Sequence, residues 1–327
     1  MLSGRAACQE CGDAHVAPHP GGPIRDAVDH EDETPVSPLF ERMVIAGVGL
    51  IGGSLGLGAR ERSLVGEIVG YGRGEENLQI ARNRGAIDRY SRSPEEAAEG
   101  ADLVVLAVPV RSLRPVAERM LPHIRQDAVV IDVGSVKGRV VESLSSLVRP
   151  PAAFVGCHPV AGTEHSGAAN ALPDLFEGQL CIVTPTPDTD SRALARVRLL
   201  WERLGMRVES MPPAEHDRLL ALVSHLPHVV AFALVKAIER ERVADRDPLS
   251  YAGGGLRDTT RIASSHAEMW RDIFLDNRTE VLQAIGQFSD AVEHLRKMID
   301  REEAAPLEAE LDRARRARSR LSRERRA

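Results

Sequence analysis

The chain has 327 residues, 43% hydrophobic and 28% charged, enough for about two domains with packed cores. A net charge of −6 and an aromatic content of 3% disfavour a basic nucleic-acid binder or a surface of base-stacking platforms. No uninterrupted apolar run reaches the roughly 18–20 residues that cross a bilayer, the N-terminus lacks a signal-peptide core, and four cysteines do not make a disulfide framework. The expectation is a cytoplasmic protein that uses neither nucleic acid nor a membrane.

Residues 1–40 are rich in Pro, Gly, His, Asp and Glu, lack helical or strand periodicity, and read as a flexible extension. Cys8 and Cys11 form a C-x-x-C with His15 and His19 downstream, all zinc-ligand types. The histidine spacing fits no common finger, so no metal is expected.

From Arg42 short β-branched runs alternate with helical segments, the pattern of an α/β protein with a doubly wound, mostly parallel sheet. The runs lie at 43–46, 67–71, 102–108, 128–133, 153–156, 180–184 and 207–211, and their continuous apolarity fits strands buried on both faces. Strand signals stop at Pro212-Pro213. Segment 215–243 is a long apolar helical stretch interrupted by Pro227, and 266–300 repeats apolar residues at helical spacing, including Val281, Leu282, Ile285, Phe288, Val292, Leu295 and Ile299. The expected domains are a dinucleotide-binding domain over 41–213 and a helical substrate domain over 214–310. An Arg-rich tail over 311–327 follows, read as a solvated helix end because acidic residues precede its arginines.

The first strand runs into Gly47-Val48-Gly49-Leu50-Ile51-Gly52-Gly53-Ser54 and then a helical stretch, which puts G-x-G-x-x-G in the context that dinucleotide binding requires. Gly47 permits the turn, Gly49 lets backbone amides approach a pyrophosphate, and Gly52 lets helix and strand pack closely. The helix N-terminus, opening at Leu50 and Ile51, supplies free amides and a positive dipole. The second strand ends in Gly70-Tyr71-Gly72-Arg73-Gly74, without the acidic residue that holds the NAD ribose, and Arg73 can pair with a 2'-phosphate. The cofactor is therefore NAD or NADP, leaning to NADP. Val108-Pro109, ending another strand, is expected beside the nicotinamide.

Further polar clusters fall at strand ends: Gly134-Ser135-Val136-Lys137-Gly138, and Cys157-His158-Pro159-Val160-Ala161-Gly162-Thr163-Glu164. In the helical part, Ser224-His225-Leu226-Pro227-His228 sets two histidines three residues apart, on one helical face. A glycine-rich loop feeds a helix carrying Arg257 and Arg261, four apart and shaped to fork onto carboxylates.

The phrases GVGLIGGS, LAVPV, DVGSVKG, GCHPVAGTEHSG, SHLPH, GGGLRDTTRIA and MWRDIF, in that order from Arg42 to about residue 300, resemble the prephenate/arogenate dehydrogenase family. The resemblance implies a Rossmann-type domain followed by an all-helical dimerisation domain. It also implies NAD(P)-dependent oxidative decarboxylation of prephenate to 4-hydroxyphenylpyruvate, with arogenate, giving tyrosine, as the alternative substrate. On the family's motifs His158 matches the catalytic histidine and Ser135 the serine that orients it. Arg261 and Arg257 match substrate-carboxylate positions, His225 and His228 face the substrate pocket, and Thr163 and Glu164 shape it, with Glu164 a gate by ion pairing. His216 also aligns with a family position. A nucleotide-sensing dimer without catalysis would need the glycine loop but not Ser135, His158 and Arg261.

Overall fold

The computed structural model describes residues 37–322 other than Glu164. Cys8, Cys11 and the rest of the extension lie outside the described residues, as do Glu164 and the last residues of the Arg-rich tail.

Among the described residues eight strands form one sheet in the order β3-β2-β1-β4-β5-β6-β7-β8. They are β1 Phe40–Ala46, β2 Val65–Tyr71, β3 Arg89–Ser91, β4 Leu103–Leu106, β5 Val129–Asp132, β6 Ala153–Val160, β7 Leu180–Val183 and β8 Arg207–Ser210. All neighbours pair parallel except β6 and β7. The order reverses between β1 and β4, which opens the crevice where such folds bind nucleotides. Both faces are covered. Met43, Ile45, Leu103, Val105, Val129 and Ile131 join one core, while Val44, Ala46, Val104, Leu106 and Val130 join the other. Period-two alternation thus places apolar residues on both sides, which is why the strands read as unbroken hydrophobic runs.

Helices α1 Leu50–Glu61, α2 Glu75–Asn83, α3 Pro94–Ala98, α4 Val110–Met120, α5 Gly138–Ser145 and α6 Ser191–Arg203 connect the strands. Beyond β8 the structure is helical: α7 Pro213–Leu220, a π-turn over Ala221–His225, α8 Leu226–Glu239, α9 Gly254–Thr260, α10 Ala267–Asp276, α11 Arg278–Asp300 and α12 Ala304–Arg318. In α10, Trp270 and Ile273 pack into the core on the α4 side of the sheet.

Three features correct the sequence reading. Strand β6 does not stop at Gly156. It pairs parallel with β5 over Ala153–Gly156, then continues antiparallel to β7 with His158 opposite Ile182, so His158 stands on a strand rather than a loop. Pro227 does not interrupt the helix: Pro213–Glu239 is continuous, and the π-turn absorbs the missing proline N–H by widening the backbone just before it. That continuous helix is long and apolar enough, by length and composition, to cross a bilayer. The sequence pattern concealed this because Ser224, His225, Pro227 and His228 break the apolar run.

The periodic apolar residues of α11 form a helix, but most do not enter a core. Val281 is buried, whereas Leu282 is 52% and Ile299 63% exposed. The sequence could not separate a face turned inward from one left open on the chain.

The glycine loop shows two different uses of glycine. Gly47 has φ +97°, and a Cβ there would collide with Ala107. A Cβ on Gly52 would strike the Gly47 carbonyl and Ile45. A Cβ on Gly49, by contrast, meets nothing within 4 Å. Gly52→Ala should therefore destabilise the fold by about 1–3 kcal/mol, while Gly49→Ala should melt near wild type and lose nucleotide affinity. Equal melting of the two variants would contradict this division.

Candidate active site

Two cavities open at the carboxyl edge of the sheet. One, of about 410 Å³, is lined by Gly47, Gly49, Arg73, Asn77, Val108 and Pro109 among others. The glycine loop is braced from α2, where Asn77 Nδ2 donates to the Val48 carbonyl at 2.7 Å and Asn77 Oδ1 accepts from the Ala168 amide at 2.9 Å. Leu50, Ile51 and Gly52 belong to the first turn of α1 and do not line this cavity. An open concavity beside an uncrowded Gly49 at a helix N-terminus fits a nicotinamide dinucleotide. Arg73 is exposed on its wall, and no Asp or Glu is among its described lining residues.

The larger cavity, of about 590 Å³, lies between the sheet edge and the helical part. Ser135, His158, Thr163, His228, Arg261 and Trp270 line it among others. The structure thus gathers residues that are up to 135 positions apart, from β6, the β5–α5 loop, α8, α10 and the segment after α9. Two expected residues are not part of the lining. His225 sits fully buried behind the wall, because three residues of α-helix turn it roughly 60° away from His228. Arg257, on α9, is exposed and does not line the cavity. His228 donates from Nδ1 to the Ser224 carbonyl at 2.9 Å and stacks on Trp270 with ring centroids 3.5 Å apart.

Behind the cavity wall lies a polar network that sequence reading reached only in part. His158 Nδ1 is 2.8 Å from His216 Nε2, and His216 Nδ1 is 2.8 Å from Asp217 Oδ1. Asp217 also accepts the backbone N–H groups of Lys137 at 2.7 Å and Gly138 at 2.8 Å, at the start of α5. Asn277 Nδ2 donates to the Asp217 carbonyl at 2.8 Å and approaches His225 Nδ1 at 3.2 Å. Lys137 is fully buried and paired with Asp132, whose carboxylate further accepts the Gly134 amide at 2.8 Å. Glu215-His216-Asp217 was visible as a polar triplet in an apolar helix. Nothing in the linear pattern showed that it would reach the Ser135 loop.

Burial decides the charge states. Desolvation, reinforced by His216, Lys137 and His225, holds the His158 imidazole well below its usual range, so it is neutral at pH 7. Burial also lowers His216, partly offset by Asp217. It would raise the Asp217 carboxyl, but the hydrogen bonds from His216, Lys137 and Gly138 outweigh it and hold that group below its ordinary value.

His225 is held down at about 4, chiefly by desolvation. Its unfolded-state value is near 6.5, so between these pH values the unfolded chain binds the extra proton and stability falls as pH drops. That window is worth about 3 kcal/mol for His225 alone. The melting temperature should fall steeply between pH 6.5 and 4, and less steeply in His225→Gln; a wild-type melting temperature flat across that window would contradict the buried neutral histidine.

Both halves match family models. Residues 55–210 match the nucleotide-binding domain of prephenate dehydrogenase and residues 212–313 its dimerization domain. A cyclohexadienyl dehydrogenase of Zymomonas mobilis is 34% identical over 262 residues, 80% of this chain and 89% of that protein. A prephenate dehydrogenase of Bacillus subtilis is 33% identical over 82% of this chain and 73% of its own length. Among solved structures, a prephenate dehydrogenase from A. aeolicus in complex with hydroxyphenyl propionate and NAD+ superposes with a TM-score of 0.82 at 40% identity, over 86% of this chain and 98% of that one. With both domains matched in order and similarity running through most of its length, the chain belongs to the prephenate dehydrogenase family of oxidoreductases.

Proposed function

We propose that this enzyme catalyses the oxidative decarboxylation of prephenate to 4-hydroxyphenylpyruvate in tyrosine biosynthesis, with NADP preferred over NAD, as a homodimer through its helical domain. The observation that carries the reading is the neutral His158 imidazole lining one cavity with Ser135 and Arg261. A nicotinamide dinucleotide held along Gly49, Arg73 and Val108 would supply a hydride acceptor for the C4 hydrogen. The residues of this chain handle the proton and the carboxylates.

His158 takes the C4 hydroxyl proton as hydride departs. A weak base suffices, because the hydroxyl becomes strongly acidic as its carbon loses electron density. The ring carboxylate then leaves as carbon dioxide, and its bonding pair aromatises the ring and collects on the C4 oxygen. That phenolate recovers the proton from His158, so the histidine ends as it began. Ser135 orients the hydroxyl, Arg261 holds a substrate carboxylate in a fixed fork, and Thr163 and His228 shape the pocket.

Prephenate is placed ahead of arogenate because the matched proteins of Bacillus subtilis and A. aeolicus are prephenate dehydrogenases. The NADP preference rests on Arg73 in the cofactor cavity. The homodimer rests on the matched dimerization domain and on the exposed apolar residues Leu282, Phe288, Val292 and Ile299 of α11.

Initial rates with prephenate or arogenate, each with NAD or NADP, test these readings together. The expected order places prephenate with NADP first; failure of all four pairs to yield reduced nicotinamide overturns the activity, and a faster NAD reaction overturns the cofactor preference. His158→Asn should lose several orders in kcat, whereas Arg261→Ala should mainly raise KM.

A further inference from the structure

We infer that Asp217 is a positioning residue that fixes, through His216, the tautomer in which His158 presents a bare Nε2 to the substrate cavity. The inference rests on His158 being the base, and it adds two residues that act on it from behind.

The logic is one of donors and acceptors. Asp217 is an ionised carboxylate that already accepts two backbone N–H groups, and it can only accept from its third partner. His216 Nδ1, 2.8 Å away, must therefore carry the hydrogen. A neutral imidazole has one N–H, so His216 Nε2 is a bare acceptor. His158 Nδ1, 2.8 Å from it, must then donate, which leaves His158 Nε2 as the lone pair. His216 is fully buried and His158 only 7% exposed, so water cannot readily substitute for either partner. The same logic orients a catalytic histidine by a buried aspartate in hydrolytic triads, here extended by one imidazole.

The carboxylate has a second task. Its bonds to the Lys137 and Gly138 amides hold the loop that carries Ser135, so a single group on α7 sets the hydroxyl-orienting serine and the base relative to each other. Because the proton returns to the phenolate in each turnover, the chain need not pass protons to solvent and resets without ring rotation.

His158 faces His216 from α7, Lys137 from the β5–α5 loop and His225 from the π-turn; Asp132 on β5 neutralises Lys137, and Arg261 lines the same cavity. Asp217 supplies the anionic end of the hydrogen-bonded chain. When His158 gains its proton, the charge lies two hydrogen bonds from that carboxylate.

In Asp217→Asn the amide nitrogen can turn to the oxygen site shared by His216 Nδ1 and the Lys137 N–H and donate to His216 at the expense of the Lys137 bond, reversing His216 and forcing a hydrogen onto His158 Nε2. The expected loss in kcat is about 10² to 10⁴, with KM little changed. The acid limb of the pH–rate profile should move to lower pH, because the imidazolium loses its anionic support. In His216→Gln the amide oxygen can accept from His158 and the amide nitrogen donate to Asp217, so activity should stay within about tenfold of wild type, whereas His216→Leu should fall with Asp217→Asn.

Nitrogen-15 NMR of histidine-labelled wild-type protein reads the tautomers without turnover. The expected spectrum has protonated Nδ1 and bare Nε2 on both His158 and His216, and bare Nδ1 on His216 in Asp217→Asn. A wild-type His158 carrying its hydrogen on Nε2, or a His216→Gln variant as impaired as His216→Leu, would overturn the inference. The tautomers stand or fall separately from the choice of substrate, so the expected spectrum without prephenate turnover would refute the proposed reaction and leave the tautomer assignment intact.

Discussion

One carboxylate joins the two parts of the molecule where its chemistry is placed. Asp217 begins the helical half, yet its oxygens cap the loop after β5 and hold His216 against His158 on β6. Neither Ser135 nor His158 is near the helical domain in sequence. A buried acceptor with three donors is rigid because leaving any of the donors unmatched there costs about 1–3 kcal/mol. The large cavity, its serine and its histidine therefore depend on one seam between sheet and helices.

The seam also sets the electrostatics. Lys137 and Asp132 neutralise each other in full burial, while His158, His216 and His225 stay uncharged. Charge is concentrated on Asp217 behind the wall, with Arg261 on the cavity side. The cost is acid sensitivity, since each neutral buried histidine favours the unfolded chain once it can be protonated there. The overall charge of −6 gave no hint of this local arrangement.

Much of this was legible in the chain itself. Seven strands announced themselves as short β-branched runs, and for central strands such as β4 and β5 this is because both faces of the sheet are covered; β3, at Arg89–Ser91 on the edge, was too short and polar to show. The glycine loop, Ser135, His158 and Arg261 stood out by motif, since backbone approach and proton transfer restrict which residue types can serve. His225 and Arg257 were harder, because whether a side chain reaches a cavity depends on helical phase and loop course. His225 turns into the wall of the cavity, and α9 leaves Arg257 in solvent. The Asp217 network was least legible, as its links to the Ser135 loop and to His158 span 58 to 80 positions and obey no local period.

On the proposed mechanism hydride leaves the C4 carbon as His158 takes the hydroxyl proton, and the ring carboxylate then departs. Prephenate bearing deuterium at C4 tests it most directly. One deuterium on the reduced nicotinamide, and one carbon dioxide, are expected for each 4-hydroxyphenylpyruvate formed. Deuterium retained in an aromatic product, with no reduced nicotinamide, would mean that the hydroxyl leaves as water and would contradict it.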